Sequence, residues 1–302
     1  MATTEVNGVP IEDTFAEAFT MRAARLIVTA ETRGWADTAA AVSTGYATSV
    51  IGCDAEAGVE ARLEPADTPD ARPGASLLVF AFNKDSLGKA LLNRVGQCIM
   101  TCPTTACYNG LPGGADDAVK VGGLLRFFGD GFQFSKKLGA RRYWRVPVMD
   151  GEFVCEEMFS TQKAVAGGNF LMLGVDQRKT LGAAEAAVSA IRQVPGVVMP
   201  FPGGLVRSGS KVGSRYKALR ASTNDEYCPS IRAITKTRLP DDVNAVYEIV
   251  IDGLDVGAVR RAMAVGVRAA CRDGIRMITA GNYGGKLGQH QLKLHEILAE
   301  IP

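Results

Sequence analysis

Apolar residues in the second half of the chain follow a pattern that occurs twice. Runs rich in β-forming residues begin at Asn169 and at Asn244, 244 − 169 = 75 residues apart. After the first run, Leu181, Ala184, Val188 and Ile191 share one face of a helix. After the second, Val256, Val259, Met263 and Ala270 do the same, at the steps of three and four that a helix requires. Pro195-Gly196 and Asp273-Gly274 break the two helices. Short apolar strands follow at 197–199 and 275–278, and each runs into a glycine-rich loop. The first loop contains Gly203, Gly204, Ser208, Gly209, Ser210, Lys211 and Gly213. The second contains Gly281, Asn282, Tyr283, Gly284, Gly285, Lys286 and Gly288, and again 286 − 211 = 75. Two βαβ units in tandem predict a split βαβ, ferredoxin-like lobe. Its sheet should be mainly antiparallel, with helices on one face.

The first half carries a weaker version of the same pattern. Strands are expected at 24–29, 48–52, 76–82, 124–128 and 143–148, with a short helix at 35–42. Leu87, Leu91, Val95 and Ile99 mark a longer helix, and the three prolines within 65–74 mark a loop. The pattern therefore gives an α+β protein of two ferredoxin-like lobes, residues 1–147 and 148–302. At 302 residues the chain is long enough for two such lobes. Thr14 and Glu17 have the spacing of a capping box, which predicts a helix starting at Thr14.

Composition narrows the function. Thirty-four Lys and Arg against thirty-two Asp and Glu leave a net charge of +2. A bulk nucleic-acid or membrane-surface binder would show a basic excess, so neither partner is expected. Local basic clusters do occur, one at Lys136, Lys137, Arg141 and Arg142, another from Arg207 to Arg220. No signal peptide and no membrane-length apolar stretch is visible. The seven cysteines are scattered and only two histidines occur, at 290 and 295. Cys98, Cys102 and Cys107 fit neither iron–sulfur nor zinc spacing. Reduced thiols, a cytoplasmic location and no bound metal are expected.

Several groups could carry chemistry. Glu248 sits in a strongly β-forming run, on the same face as Val246 and Val250. A carboxylate among aliphatics should have a raised pKa, which suits acid/base work near neutral pH; a solvent-facing or salt-bridged Glu on a sheet edge is the alternative. Neither glycine loop is a P-loop or a dinucleotide fingerprint. Their backbone amides could still approach an anion or a flat ring, with Lys211 or Lys286 adding charge, or the glycines could simply make turns. Ser208 and Ser210 are small donors, and Asn282 and Tyr283 could face a ring system or make the turn. Glu12 and Asp13 are left available for a ligand or a partner subunit. No nucleophile elbow supports a hydrolase triad.

Longer blocks carry a resemblance. Residues 7–19, 97–98, 101–105, 127–131, 165–170, 183–188, 200–204 with 208–213, 243–253 and 280–288 closely resemble formylmethanofuran:tetrahydromethanopterin formyltransferases. The blocks span essentially the whole chain. The resemblance implies transfer of a formyl group between a methanofuran-type amine and a tetrahydromethanopterin-type pterin. Both carriers would be substrates, with no prosthetic group. It also implies two ferredoxin-like lobes, a homo-oligomer and an active cleft between subunits. The balanced charge departs from the acidic archaeal members and points to the formyltransferase component of a bacterial formyltransferase/hydrolase complex. On this reading Glu248 moves protons, and Ser208 and Ser210 with their loop face the formyl oxygen. Lys211, Gly203, Gly204, Asn282, Tyr283, Lys286, Glu12 and Asp13 bind the carriers. The alternative is a non-catalytic scaffold subunit of a one-carbon enzyme complex.

Overall fold

A computed structural model describes residues 4–113, 117–209 and 224–301. It forms two compact units. One joins Met1–Thr20 to Val165–Pro302, and the other is Met21–Ala164. The partition thus differs from a single cut at 147/148. The N-terminal segment joins the C-terminal one because it is hydrogen-bonded there. Strand β1 (Val9–Ile11) lies parallel to a strand at 275–279, and the start of β2 (Phe15–Thr29) pairs with residues 290–293. The segment around 149–150 is instead a tight turn between two paired strands of the unit at 21–164.

In that unit the chain continues from β2 through α1 (Arg33–Thr44), β3 (Glu56–Leu63), β4 (Gly74–Ala81), α2 (Lys84–Arg94) and β5 (Ala106–Asn109). The strand order is β5-β2-β4-β3, all antiparallel. The hairpin partners β6 (Phe134–Leu138) and β7 (Arg141–Val148) follow, and β8 (Gly151–Glu156) runs parallel to β5. Ala39, Ala40, Leu87, Leu91 and Val95 close the core over Leu26, Leu77 and Val79.

The other unit repeats this order. It runs β9 (Gln162–Gly174), α3 (Gln177–Ile191), β10 (Val197–Val198), β11 (Ala245–Gly253), α4 (Val256–Ala270) and β12 (Ile275–Thr279). Strands lie β12-β9-β11-β10, every pair antiparallel. Asp176 and Asp255 start the two helices, each accepting a hydrogen bond from the amide three residues on. The helices cover Phe170, Met172, Ile249, Ile251 and Ile278 on one sheet face. The opposite face carries Leu171 and Leu173, covered by Tyr227, Leu239 and Val243.

Three sequence expectations are corrected. Residues 48–52 form a turn, with the Ser49 carbonyl accepting from the Gly52 and Cys53 amides; Ile51 is exposed, so nothing anchors a strand. Residues 124–128 are helical, because only Leu125 is buried and no alternating face exists. Thr14 starts no helix. Residues 15–29 are one strand, whose alanines at 16, 18, 23 and 24 are fully buried, and tertiary burial outweighs their helix propensity.

Glu17 therefore does something other than cap. Its buried carboxylate accepts four backbone N–H bonds, from Tyr283, Gly285, Leu287 and Gly288, at 2.5–3.0 Å. The second glycine-rich loop wraps this anion. A Cβ at Gly288 would lie 2.6 Å from the Ala18 carbonyl, so only glycine permits the approach. Desolvation pushes the Glu17 carboxyl up, and the amides of Gly288, Leu287, Tyr283 and Gly285 together outweigh it, leaving the pKa below the usual range. Such a carboxylate adds stability above its unfolded pKa and loses it as pH falls through the folded value. Glu17→Gln should cost about 2–4 kcal/mol near neutral pH, with the gap closing in acid. Urea melts at neutral pH and at about pH 3.5 check this; an equal gap at both would show that charge has no part in it.

Candidate active site

The row of side chains Glu248, Leu171 and Thr279 crosses three adjacent strands, β11, β9 and β12, in register. All three point to the face away from α3 and α4. The chain at 206 adds to the β11 side: Val206 and Glu248 exchange both backbone hydrogen bonds, at 2.8 and 3.2 Å. Two residues on, the Ser208 hydroxyl donates to Glu248 Oε2 at 3.3 Å. A cavity of about 520 Å³ opens here, and Glu248, Ser208, Tyr227, Asn244 and Tyr247 are among its lining residues. Glu248 is half-buried, and among the described residues no cationic side chain pairs with it. Burial raises its pKa to about 7, against the Ser208 hydrogen bond, which pulls the other way. At neutral pH this carboxyl therefore exists in both forms.

The first glycine loop approaches the cavity through a kink. Gly203 and Gly204 have φ of +68° and +90°, a region that favours glycine. Neither lines the cavity. Ser210 and Lys211 lie outside the described residues.

The remaining sequence candidates gather at the C-terminal end of β12, and none of them lines the cavity. Asn282 donates from Nδ2 to Thr14 Oγ1 and the Phe15 carbonyl, and accepts from the Gly284 amide. Tyr283 presents a partly exposed ring 6.5 Å from Phe19, and Lys286 is exposed. Glu12 is shared by two donors, Arg238 at 2.5 Å and the Thr279 hydroxyl. Asp13 is exposed, with its Oδ1 3.6 Å from His295 Nδ1.

Sequence reasoning missed Tyr227 and Arg238. They lie in the 224–243 stretch, which has only two single 3-10 turns and no periodicity to read. The seven cysteines are unpaired. Among the described residues no group of three or more His, Cys, Asp or Glu is placed to hold a metal ion, and no helix is long and apolar enough to cross a membrane.

Comparison with known proteins bears on this geometry. A family model described as formylmethanofuran-tetrahydromethanopterin formyltransferase matches residues 4–148, and one described as its proximal lobe matches 151–297. The formylmethanofuran–tetrahydromethanopterin formyltransferase of Methylococcus capsulatus is 55% identical over 298 residues, 97% of this chain and 99% of that protein. One subunit of the formyltransferase/hydrolase complex of Methylorubrum extorquens is 50% identical over 303 residues, 97% of each chain. The structure of the Methanosarcina barkeri formyltransferase superposes with a TM-score of 0.91 at 49% identity, covering 97% of this chain and 100% of that one. A chain of the Methylorubrum extorquens formyltransferase/hydrolase complex, solved with methylofuran, gives 0.94 at 50% identity, with both chains fully covered. With family models running from residue 4 to residue 297 and relatives at about half identity over nearly its whole length, this chain belongs to the formylmethanofuran–tetrahydromethanopterin formyltransferase family.

Proposed function

We propose that this protein moves a formyl group directly between a methanofuran-type amine and a tetrahydromethanopterin-type pterin, with Glu248 as the proton-transfer group. The observation that carries the reading is a half-buried carboxyl, poised near pH 7, facing a cavity. A formamide is a poor acyl donor. The enzyme must therefore hold the nucleophile close and stabilise the oxyanion. A pterin ring nitrogen attacks the formyl carbon and a new C–N bond forms. Glu248 takes the proton from that nitrogen. The tetrahedral oxyanion then collapses, the C–N bond to the furan carrier breaks, and Glu248 returns the proton to the departing amine. A pKa of about 7 suits both directions of proton transfer.

The Ser208 hydroxyl, with Ser210 and the backbone of their loop, is our candidate for the formyl oxygen. Gly203 and Gly204 give that loop its entry. Lys211 is assigned to the acidic tail of the furan carrier. Asn282, Tyr283, Lys286 and Asp13 are proposed as carrier contacts outside the cavity. The chemistry needs proton movement and oxyanion stabilisation, so both carriers enter as substrates and no prosthetic group is required. The matching strand orders, β5-β2-β4-β3 and β12-β9-β11-β10, support two ferredoxin-like lobes. By likeness to the matching subunit of the Methylorubrum extorquens complex, we propose a cytoplasmic homo-oligomer that joins partner subunits.

Glu248→Gln keeps the shape and removes the titrating group. It should lower kcat by about 10²-fold or more; near-normal turnover across neutral pH would sink the assignment. The same variant should change stability in a set direction. A group whose folded pKa is raised contributes fully below its unfolded value and loses that contribution as pH rises through the folded one. The unfolded value is near 4.5 and the folded one about 7. Glu248→Gln should therefore gain on the wild type between about pH 5 and about pH 8, by up to roughly 3 kcal/mol and less where solvent reaches the carboxyl. Urea midpoints at the two pH values measure it, and a constant gap would contradict the raised pKa.

Lys211→Ala should raise KM for the furan carrier more than it lowers kcat, because a tail contact is shared by ground and transition states. Truncating the acidic tail of the carrier should shrink the effect. A fall in kcat alone would place Lys211 at the reacting centre.

A further inference from the structure

Tyr227 is the buried aromatic wall of the cavity that holds Glu248. Its own segment is two single 3-10 turns, Asp225–Tyr227 and Pro229–Ile231, with the Thr235 and Thr237 hydroxyls donating to the Asp225 and Glu226 carbonyls. The Tyr227 side chain is held in addition from the other end of the chain. The Glu12 amide donates to the Ile278 carbonyl at 2.9 Å, which sets the residue beside β12. Its carboxylate then accepts from the Thr279 hydroxyl and, at 2.5 Å, from Arg238. Thr279 hydrogen-bonds the Tyr227 side chain, and the Arg238 guanidinium lies over the Tyr227 ring at 5.6 Å. The Arg238 amide donates to the Glu226 carbonyl at 3.0 Å, so the backbone next to Tyr227 is held as well. A closed circuit of Glu12, Thr279, Tyr227 and Arg238 results.

We propose that Glu12 is a positioning residue for formyl transfer: by holding Arg238 and Thr279 together, it keeps the Tyr227 wall closed over the Glu248 cavity. The proposal rests on the reading of Glu248 as the proton-transfer group. It follows from where the pairing lies as much as from what it pairs. The side chains of Arg238 and Glu12 are 44% and 28% exposed, and ion pairs of that exposure add little to stability. The pair cross-links residues 226 apart in sequence, and what it contributes is geometry. The Glu12 oxygens that would meet a carrier are already shared between two donors.

The consequence reaches Glu248 through water. Loosening the wall admits solvent, and a solvated carboxyl returns toward its ordinary range. Among the described residues, the other titratable groups lining the cavity are Arg207, Tyr227, Cys228 and Tyr247, and none of them changes charge when Glu12 is replaced.

The test is the pH profile of kcat for the purified protein, together with any subunits that purify with it, from about pH 5 to about pH 9. Glu12→Gln keeps the shape and the acceptor for Thr279 but loses the charge facing Arg238. The limb near pH 7 should move down by about one unit and kcat should fall about tenfold, with KM for both carriers changing less than about threefold. Arg238→Gln breaks the pair from its exposed end and should give the same shift if Glu12→Gln folds poorly. The double variant should be no worse than either single one, as expected for residues acting through one contact. Tyr227→Phe, which keeps the ring, should move the limb the same way by less. A limb that stays in place with kcat intact, additive losses in the double variant, or a rise confined to one carrier's KM would each overturn the proposal. A wild-type profile with no limb near 7, or one unaltered by Glu248→Gln, removes the Glu248 reading and this proposal with it; a wild-type limb that Glu248→Gln abolishes and Glu12→Gln leaves unmoved removes only this one.

Discussion

An ionisable carboxyl on an apolar β-strand is the constraint around which the unit containing Glu248 is arranged. Strand β11 must bury Ile249 and Ile251 against α3 and α4, and strict alternation then sends Glu248 to the opposite face. That face cannot be closed in the same way, because a carboxyl sealed among side chains with no partner would be heavily penalised. The structure closes it partially. Leu171 flanks Glu248 within the sheet, Val206 adds a backbone bridge, and the wall at 227 covers the leucines. A cavity remains at the carboxyl itself. The raised pKa is the physical record of that compromise between burial and access.

The two glycine-rich loops occupy equivalent places in the βαβ repeat and do different work. The first kinks through Gly203 and Gly204 and brings Val206 and Ser208 to Glu248. The second turns its amides inward on Glu17. Backbone N–H groups concentrated by glycines attract an anion, and here the anion is supplied by the chain's own strand β2. With those amides occupied, the loop offers a ligand its side chains, of which Tyr283 and Lys286 are exposed. Acidic residues that are close neighbours in sequence thus divide the labour: Glu12 holds the cavity wall through Arg238, Glu17 holds the loop, and Asp13 remains exposed.

Much of this architecture was legible in the residues. The tandem repeat, the faces of α3 and α4 (apart from Val256, which is exposed at the start of α4), and the placement of Glu248 opposite Ile249 all follow from periods of 3.6 and 2. They are legible because burial is decided locally, one face at a time. The first part of the strand at 15–29, before the expected 24–29 segment, was not. Its alanines and Thr14-x-x-Glu17 spacing are those of a helix start, and only the ladders formed with residues 74–81, 106–109 and 290–293 make it a strand.

The sequence by itself determined the repeat, the family resemblance, and a carboxyl set among aliphatics on a β-strand, because these depend on side-chain type and on periodicity along one stretch of chain. The tertiary structure decided which partner each charge found. Glu12 meets Arg238 across 226 positions, and Glu17 meets a loop more than 260 positions away. No local pattern encodes such pairings. They arise when antiparallel and parallel strand contacts bring distant segments side by side, and the cost of burying an unpaired charge or amide then selects the arrangement in which each finds its complement.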